Sequence, residues 1–217
     1  MRIARVHGFS RLSSFFLVKL TSLRQMTNST KKLKSDLRQQ ALKQRYIIQK
    51  QDHDLSQLIE TFFEHASPHP DDIIAAYWPI RGELDLTPLI PKLTSQGFQC
   101  ALPIVVEDTL QLEFAIWNDE TIFKKGQYGI SEPATAERIS PDIFLIPMLA
   151  FDMQGYRLGY GGGYYDKTIA YYQCSKHVTT IGVAFEEQKS LLPLPREDHD
   201  IPLDMILTQQ KLYNFKS

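Results

Sequence analysis

The sequence contains no run of about 18 apolar residues, the length that a helix needs to cross a membrane, so we expect no transmembrane helix. It has only two cysteines, Cys100 and Cys174, too few for a disulfide framework and too far apart for a CxxC pair or a zinc knuckle. This cysteine usage fits a reducing compartment. With 24 basic and 25 acidic residues, the chain also lacks the overall basic field of nucleic-acid-binding proteins. Its 43% hydrophobic content among 217 residues is typical of a globular protein that buries a core.

The first 26 residues have no acidic side chain, although they carry five basic ones. Residues 27–217 therefore hold 19 basic residues against all 25 acidic ones. Such a segment is typical of a mitochondrial transit peptide, but it also fits a translation start placed upstream of the native one at Met26, or a structured arm. We expect 1–26 to be a basic extension and 27–217 to form a single domain. We expect a monomer in the cytoplasm, or in mitochondria if 1–26 is a transit peptide.

Apolar periodicity predicts helices that alternate with strands. Residues 31–65 repeat apolar side chains every three or four positions and should form two helices with a break near 50–54. Further helices are predicted between Thr87 and Gly97 and at 163–172. The predicted strands are 73–78, 98–102, 110–117, 143–149, 178–185 and 203–207, the last of which is expected to close the sheet. This order predicts an α/β layered sandwich with a mainly parallel central sheet flanked by helices.

A glycine-rich segment joins the strongest predicted strand to the last predicted helix. It reads Arg157-Leu158-Gly159-Tyr160-Gly161-Gly162-Gly163 and leads into Tyr164-Tyr165-Asp166. Glycines let successive N–H groups point into one concavity, and the helix that follows adds the positive end of its dipole, so the segment suits phosphate. Arg157 could close such a site with a bidentate fork. A simple tight turn is the alternative, since the spacings of a P-loop and of a dinucleotide-binding fold are both absent.

Carboxylates near this segment are candidate ligands for Mg²⁺. The ion is typically bound by one or two carboxylates together with phosphate oxygens and water. Asp166 lies in the first turn of the predicted helix, where it could instead only interact with the helix dipole. Asp200 is the second candidate, and Asp198 and Asp204 are its alternatives in the same loop.

Two further segments contain candidate ligand contacts. Trp78 and Glu83 follow the first buried strand, and ligands of open α/β sheets bind beyond the carboxyl ends of the strands. A solvated turn is the alternative there. Lys34 and Arg38 lie one turn apart on one face of the first predicted helix, a pattern that most often marks a solvated face.

These residues resemble the 5-formyltetrahydrofolate cyclo-ligase family, also called the 5,10-methenyltetrahydrofolate synthetases. The resemblance covers about residues 31–208, and its specific part is the Arg-Leu-Gly-x-Gly-x-Gly-Tyr-Tyr-Asp element at 157–166. Weaker parts are Lys34…Leu37-Arg38…Arg45, Pro79…Gly82-Glu83, 129–133, 146–155, Gly182…Phe185…Gln188 and His199-Asp200…Asp204…Thr208. Lys167 stands where Arg is common, and 1–26 lies outside the resemblance.

The resemblance implies an enzyme that uses ATP as co-substrate and Mg²⁺ to convert 5-formyltetrahydrofolate to 5,10-methenyltetrahydrofolate, ADP and phosphate. Phosphorylation of the formyl oxygen would create a leaving group, and N10 of the same folate would then close the ring. It implies small-molecule substrates only, with neither nucleic acid nor membrane as a partner. It also implies a fold similar to that of sugar-phosphate isomerases and CoA transferases.

The resemblance further assigns roles to individual residues. Arg157 and Tyr164 would be catalytic, and Asp166 and Asp200 would bind Mg²⁺. The implied ATP contacts are Lys34, Ser35, Asp36, Leu37, Arg38, Arg157, Leu158, Gly159, Tyr160, Gly161, Gly162, Gly163, Tyr164 and Tyr165. The implied folate contacts are Trp78, Glu83, Tyr160, Gly161, Gly162, Gly163 and Tyr164.

Two other function classes stay open at this point. A sugar-phosphate isomerase or CoA transferase on the same fold would bind phosphate without hydrolysing ATP, and the Asp166/Asp200 pair argues against it. A non-catalytic folate- or nucleotide-binding paralogue would bind folate without releasing ADP. The presence of Arg157, Asp166 and Glu83 argues against that reading.

Overall fold

The protein is described by a computed structural model that covers residues 11–51, 54–106, 108–118, 120–134 and 137–216, with backbone alone for 11–28. The strands are β1 (Ile73–Ala75), β2 (Gln99–Val105), β3 (Leu112–Trp117), β4 (Phe123–Lys125), β5 (Ser131–Pro133), β6 (Ile143–Pro147), β7 (Ala150–Phe151), β8 (Arg157–Leu158), β9 (Thr179–Val183), β10 (Met205–Leu207) and β11 (Leu212–Asn214). The α-helices are α1 (Arg11–Ile48), α2 (Ser56–Thr61), α3 (Leu89–Ser95) and α4 (Tyr164–Gln173), and a π-helix spans Phe62–Ala66. None of the described helices is long and apolar enough to cross a membrane.

Seven of the described strands form one sheet in the order β11-β10-β9-β6-β1-β2-β3. The pairs β10–β9, β9–β6, β6–β1 and β1–β2 are parallel, whereas β3 and β11 join the two edges antiparallel. The predicted α/β class with a mainly parallel sheet is therefore confirmed. The prediction that 203–207 closes the sheet is wrong, because β11 pairs outside β10.

Hydrophobic side chains pack on both faces of the sheet. Along β6, Ile143 and Leu145 belong to the cluster under α2 and α3, while Phe144 and Ile146 belong to the cluster under α4. Successive strand residues point to opposite faces, so a strand that is apolar throughout must be covered by helices on both sides. The continuous apolar run in the sequence thus accounts for the layered arrangement.

The first helix ends where the sequence predicts, with α1 stopping at Ile48 and α2 starting at Ser56. It begins earlier than predicted, at Arg11 instead of near residue 31. No glycine or proline occurs between Gly8 and Pro68, so nothing in the local chemistry interrupts the helix before its polar break. The expected extension 1–26 lies outside the described residues at 1–10 and belongs to α1 from Arg11 onward.

Two short hairpins, β4–β5 and β7–β8, were not predicted from the sequence. The β7–β8 hairpin delivers Arg157 to the start of the glycine segment, and the β4–β5 hairpin brings its connecting residues over the sheet end. Strands β1 and β6 are parallel neighbours whose carboxyl ends lie on the same side of the sheet, and residues that follow both strands line one cavity together with residues of both hairpins.

Candidate active site

A cavity of about 390 Å³ lies where these segments converge. It is lined by Tyr77, Trp78, Ile80, Arg81, Glu83, Pro103, Val105, Leu112, Gln127, Ile130, Ser131, Glu132, Pro147, Arg157, Tyr160, Gly161, Gly162, Gly163, Tyr164, Tyr165 and Asp166. The structure therefore brings the glycine segment and the turn after β1 together in the lining of one cavity. A largely apolar concavity with a few convergent polar groups is the usual form of a small-molecule site.

The glycine segment approaches α1 closely enough to require glycine at one position. Gly161 has a φ of +98°, and a Cβ there would lie 3.0 Å from Cζ of Arg38. The Arg38 Nε also donates to the carbonyl of Gly159 at 2.9 Å. Gly163, with a φ of +72°, then caps α4. The segment is thus a turn built against a guanidinium, with the N-terminus of α4 at its end, as an anion site requires.

Arg157 is held rigidly at the edge of this segment. Its side chain is 5% exposed and donates to the carbonyl of Ile201 at 3.0 Å and to Oδ1 of Asp166 at 2.7 Å. Burial lowers the pKa of Arg157, while the carboxylates of Asp166 and Asp200 oppose that shift. A guanidinium between carboxylates and a cavity is pre-oriented for an anionic ligand. Tyr164, the other predicted catalytic residue, opens α4 and lines the same cavity.

The two predicted magnesium ligands lie on one network but have different partners. Asp166 lines the cavity and also accepts from the backbone N–H of Ile201 at 3.3 Å. Asp200 accepts from Nζ of Lys34 at 2.5 Å and from the N–H of Glu197 at 2.7 Å. Among the described residues, every hydrogen bond of Asp166 uses Oδ1, so its other oxygen is available to a hard cation.

The alternatives to Asp200 have other surroundings. Asp198 is exposed, and Asp204 accepts from the N–H and hydroxyl of Thr180, which fixes it to strand β9. Glu197 and His199 come within 4.8 Å of Asp200 and form a donor group, but the ammonium of Lys34 already contacts both carboxylates. Asp200 is thus the member of this loop that shares charge interactions with Arg157.

The predicted ATP contacts on α1 lie on different faces of the helix and have different surroundings. Lys34 is buried against the 197–200 loop, and Arg38 meets the glycine segment. Ser35 and Asp36 are exposed, while Leu37 and Leu158 line a separate cavity of about 180 Å³ beneath α1. The structure therefore brings Lys34 and Arg38 to the site and leaves the residues between them at its margin.

The predicted folate contacts form an aromatic and acidic wall. Trp78 packs on Phe123 with ring centroids 4.9 Å apart and on Trp117 at 6.0 Å. Glu83 is buried, and its Oε2 accepts from the N–H of Ile80 at 3.0 Å. Burial raises the pKa of Glu83 to about 7, against the opposing effects of that hydrogen bond and of Arg45. The Glu83 carboxyl can therefore change its charge near neutral pH.

A sequence model described as the 5-formyltetrahydrofolate cyclo-ligase family matches residues 27–209. The chain belongs to this family. It is therefore an enzyme of the ligase class, and most of the motif at 157–166 that carries the resemblance lines the cavity.

Curated relatives of the cyclo-ligase family cover most of the matched region. The 5-formyltetrahydrofolate cyclo-ligase of Haemophilus influenzae is 36% identical over 140 residues, which are 62% of this chain and 74% of the relative. That of Escherichia coli K12 is 32% identical over 149 residues, 65% of this chain and 80% of the relative. The Saccharomyces cerevisiae enzyme is 27% identical over 184 residues, 74% and 85% of the two chains.

Solved structures of cyclo-ligases share the fold. The 5,10-methenyltetrahydrofolate synthetase of Aquifex aeolicus superposes with a TM-score of 0.70 at 30% identity, covering 85% of this chain and 94% of its own. That of Mycoplasma pneumoniae gives a TM-score of 0.62 at 25% identity, covering 81% and 98%. The likeness to sugar-phosphate isomerases and CoA transferases stays a prediction.

Sequence reasoning missed several residues of the cyclo-ligase site. Arg81, Gln127 and Glu132 line the cavity without having been proposed, because turns and short hairpins carry no periodic signal. Arg45 was named in the resemblance but given no role, although it is fully buried beside Glu83. Its spacing offered a signal: Lys34, Arg38 and Arg45 follow each other by four and seven residues and so share one face of α1.

Proposed function

We propose that the protein catalyses the ATP- and Mg²⁺-dependent conversion of 5-formyltetrahydrofolate to 5,10-methenyltetrahydrofolate, with release of ADP and phosphate. The observation that carries this proposal is the meeting of two unlike walls in one cavity. The glycine segment with Arg157 and Asp166 forms a wall suited to phosphate, and Trp78 with Glu83 forms a wall suited to a flat, hydrogen-bonding ring. Such a cavity would hold the transferable phosphate against the formyl group.

On the nucleotide side, we assign three cations to the phosphates. Lys34, Arg38 and Arg157 come from α1 and β8, and they would neutralise the charge of a triphosphate held at the N-terminus of α4. Asp166 and Asp200 would hold Mg²⁺, which supplies charge neutralisation on the phosphate oxygens. The available oxygen of Asp166 fits this role.

The chemistry explains why ATP is consumed. An amide-like formyl oxygen is a poor leaving group, so attack by N10 alone would stall. Transfer of the γ-phosphate to that oxygen breaks the bond to ADP and leaves an iminium-like carbon that carries phosphate. N10 then bonds to this carbon and releases its proton to solvent, and inorganic phosphate departs with the former formyl oxygen. Arg157 lines the cavity and would stabilise the charge on the transferring phosphoryl group.

On the folate side, Trp78 and Glu83 would make different kinds of contact with the ligand. Trp78 presents an aromatic surface to the cavity, suited to stacking. Glu83 presents a carboxylate, which when ionised only accepts hydrogen bonds and so suits the N–H groups of a pterin ring. The same wall would thus orient the ring so that N5 faces the nucleotide.

An absorption assay tests this function. Ring closure joins the aminobenzoyl ring, N10, the bridging carbon and N5 into one conjugated cation, so the product absorbs at a longer near-ultraviolet wavelength than the substrate. Protein mixed with 5-formyltetrahydrofolate, ATP and Mg²⁺ should develop this band with stoichiometric ADP. Omission of ATP or chelation of Mg²⁺ should abolish it. Folded protein that binds ATP and yields neither band nor ADP would instead support a non-catalytic binder.

We also propose that residues 1–26 are dispensable and that the enzyme works as a cytoplasmic monomer. The dispensability of 1–26 is supported by the acid-free composition of the segment and by the family match, which starts at residue 27. A chain that starts at Met26 still contains Lys34, Arg38 and Arg45, so its turnover should equal that of the full chain. Thermal melting and the absorption assay on both chains measure this. Loss of folding or of activity on truncation would show that the segment belongs to the domain.

A further inference from the structure

Arg45 is a buried cation that joins α1 to three other segments. Its side chain is 0% exposed. The guanidinium donates to the carbonyl of Met148 at 3.1 Å and twice to the carbonyl of Arg81, at 2.9 and 3.2 Å. It also donates to the hydroxyl of Tyr160 and lies 3.9 Å from the carboxylate of Glu83. A fully buried arginine with this many fixed partners restrains all of them at once.

The main restraint acts on the turn after β1. The N–H of Glu83 donates to the carbonyl of Ile80 at 2.9 Å, and Arg81 and Gly82 between them have φ values of +49° and +78°. A left-handed conformation is unfavourable for a non-glycine residue and persists where the surroundings enforce it. The two hydrogen bonds from Arg45 to the Arg81 carbonyl provide that enforcement.

A second restraint from Arg45 fixes the direction of the hydroxyl proton of Tyr160. A guanidinium only donates, so the Tyr160 oxygen must accept from Arg45 and its own single proton must point elsewhere. The Glu83 carboxyl is close enough to interact with the Tyr160 hydroxyl, so we expect that proton to point toward the carboxylate. Arg45 thereby restrains both the backbone of the 80–83 turn and the orientation of the Tyr160 hydroxyl beside Glu83.

We infer that Arg45 is a positioning residue for the folate half of the site. It holds the 80–83 turn and orients the Tyr160 hydroxyl toward Glu83, and it contacts neither the folate nor ATP. This inference rests on the proposed function. Lys34 and Arg38 contact the nucleotide half from the same helix face, so α1 would serve both halves through different residues.

The charged groups around Glu83 determine how its pKa would change if Arg45 were removed. Arg45 and Arg81 oppose the burial that raises the pKa of Glu83, and Tyr160 opposes it by its hydrogen bond. The buried Tyr77 and Tyr165 also interact electrostatically with Glu83, and the hydroxyl of Tyr77 donates to the carbonyl of Leu84 at 2.6 Å. With Arg45 removed, burial acts with less opposition and the Glu83 pKa must move up from about 7. Less of the accepting, ionised form then exists at neutral pH.

The experiment compares Arg45→Met, which removes the charge at similar length, with Arg45→Lys, which keeps the charge but not the fork. For Arg45→Met we expect kcat/KM for 5-formyltetrahydrofolate to fall roughly 10- to 100-fold, by analogy with residues that orient metal ligands, while KM for ATP changes less than about threefold. The acidic limb of the kcat/KM profile should move up by about one pH unit. Arg45→Lys should restore the pH profile and only part of the loss.

A matched control and a milder variant keep the inference testable if Arg45→Met folds poorly. Arg138→Met makes the same change at a half-exposed ion pair with Glu113 and should change neither constant. Tyr160→Phe removes one hydroxyl and should raise the folate KM and shift the profile in the same direction. Equal losses for folate and ATP in the Arg45 variants, or a pH profile of Tyr160→Phe that does not differ from that of wild type, would overturn the positioning role. Absence of turnover in wild type would instead overturn the proposed function.

Discussion

Replacement of Arg157 by alanine is expected to lower kcat/KM for 5-formyltetrahydrofolate about 100- to 1,000-fold, the loss found when one pre-oriented donor to a developing charge is removed from a closed site. The guanidinium is 5% exposed and fixed by Asp166 and by the carbonyl of Ile201. It needs no reorganisation when charge develops on the phosphoryl group. Alanine also leaves Asp166 without its cation, which adds repulsion toward ATP.

The Arg157 prediction is measured by the near-ultraviolet band and by ADP release at saturating Mg²⁺. Arg157→Lys keeps the charge without the bidentate geometry and should recover only part of the rate. Arg138→Ala, at a side chain that is 52% exposed, serves as the control and should leave the rate unchanged. If Arg157→Ala folds with the thermal stability of wild type and loses less than about tenfold, transition-state stabilisation must come from Lys34 and Arg38 instead.

The sheet could be predicted from the sequence wherever a strand is buried on both faces. The run at Ile143–Pro147 is apolar at every position because helices cover both sides, and only a central strand has that requirement. The edge strand β11 (Leu212–Asn214) has no buried residue and therefore no pattern to read. The β4–β5 hairpin is likewise exposed on β4, so its place over the cavity depends on contacts such as Phe123 on Trp78.

The candidate site could be predicted where backbone geometry dictates residue type. Position 161 favours glycine because its φ of +98° is strained for any other residue, and this need is visible in the sequence as a glycine cluster before a helix. The partners of Asp200 were not visible in the same way. Lys34 is 166 residues away, and only the fold brings its ammonium to that carboxylate. Long-range pairing of charges leaves no local signal, so the helix face that Arg45 shares with Lys34 and Arg38 could not by itself reveal its pairing with Glu83.

Asp166→Asn is expected to lower kcat and to raise the Mg²⁺ concentration for half-maximal turnover at least about tenfold. A tenfold change corresponds to a loss of only about 1.4 kcal/mol in the free energy of Mg²⁺ binding. The amide keeps an oxygen that can accept from Arg157 and from the N–H of Ile201, so the local geometry is preserved while the charge is lost. A hard cation, unlike those donors, depends chiefly on the charge.

This experiment distinguishes two possible roles of Asp166, which are to bind Mg²⁺ and to orient Arg157. Excess Mg²⁺ can compensate only for the loss of the first role. If Asp166 binds Mg²⁺, rate measured against Mg²⁺ at fixed ATP should shift to higher concentration, and added Mg²⁺ should recover much of the activity. If it only orients Arg157, KM for ATP should rise and added Mg²⁺ should recover nothing. Asp71→Asn, at a side chain that is 94% exposed, controls for the change of net charge and should leave both curves in place. An unshifted Mg²⁺ curve for Asp166→Asn would therefore leave Asp166 as the partner of Arg157 and require the metal to be held without it.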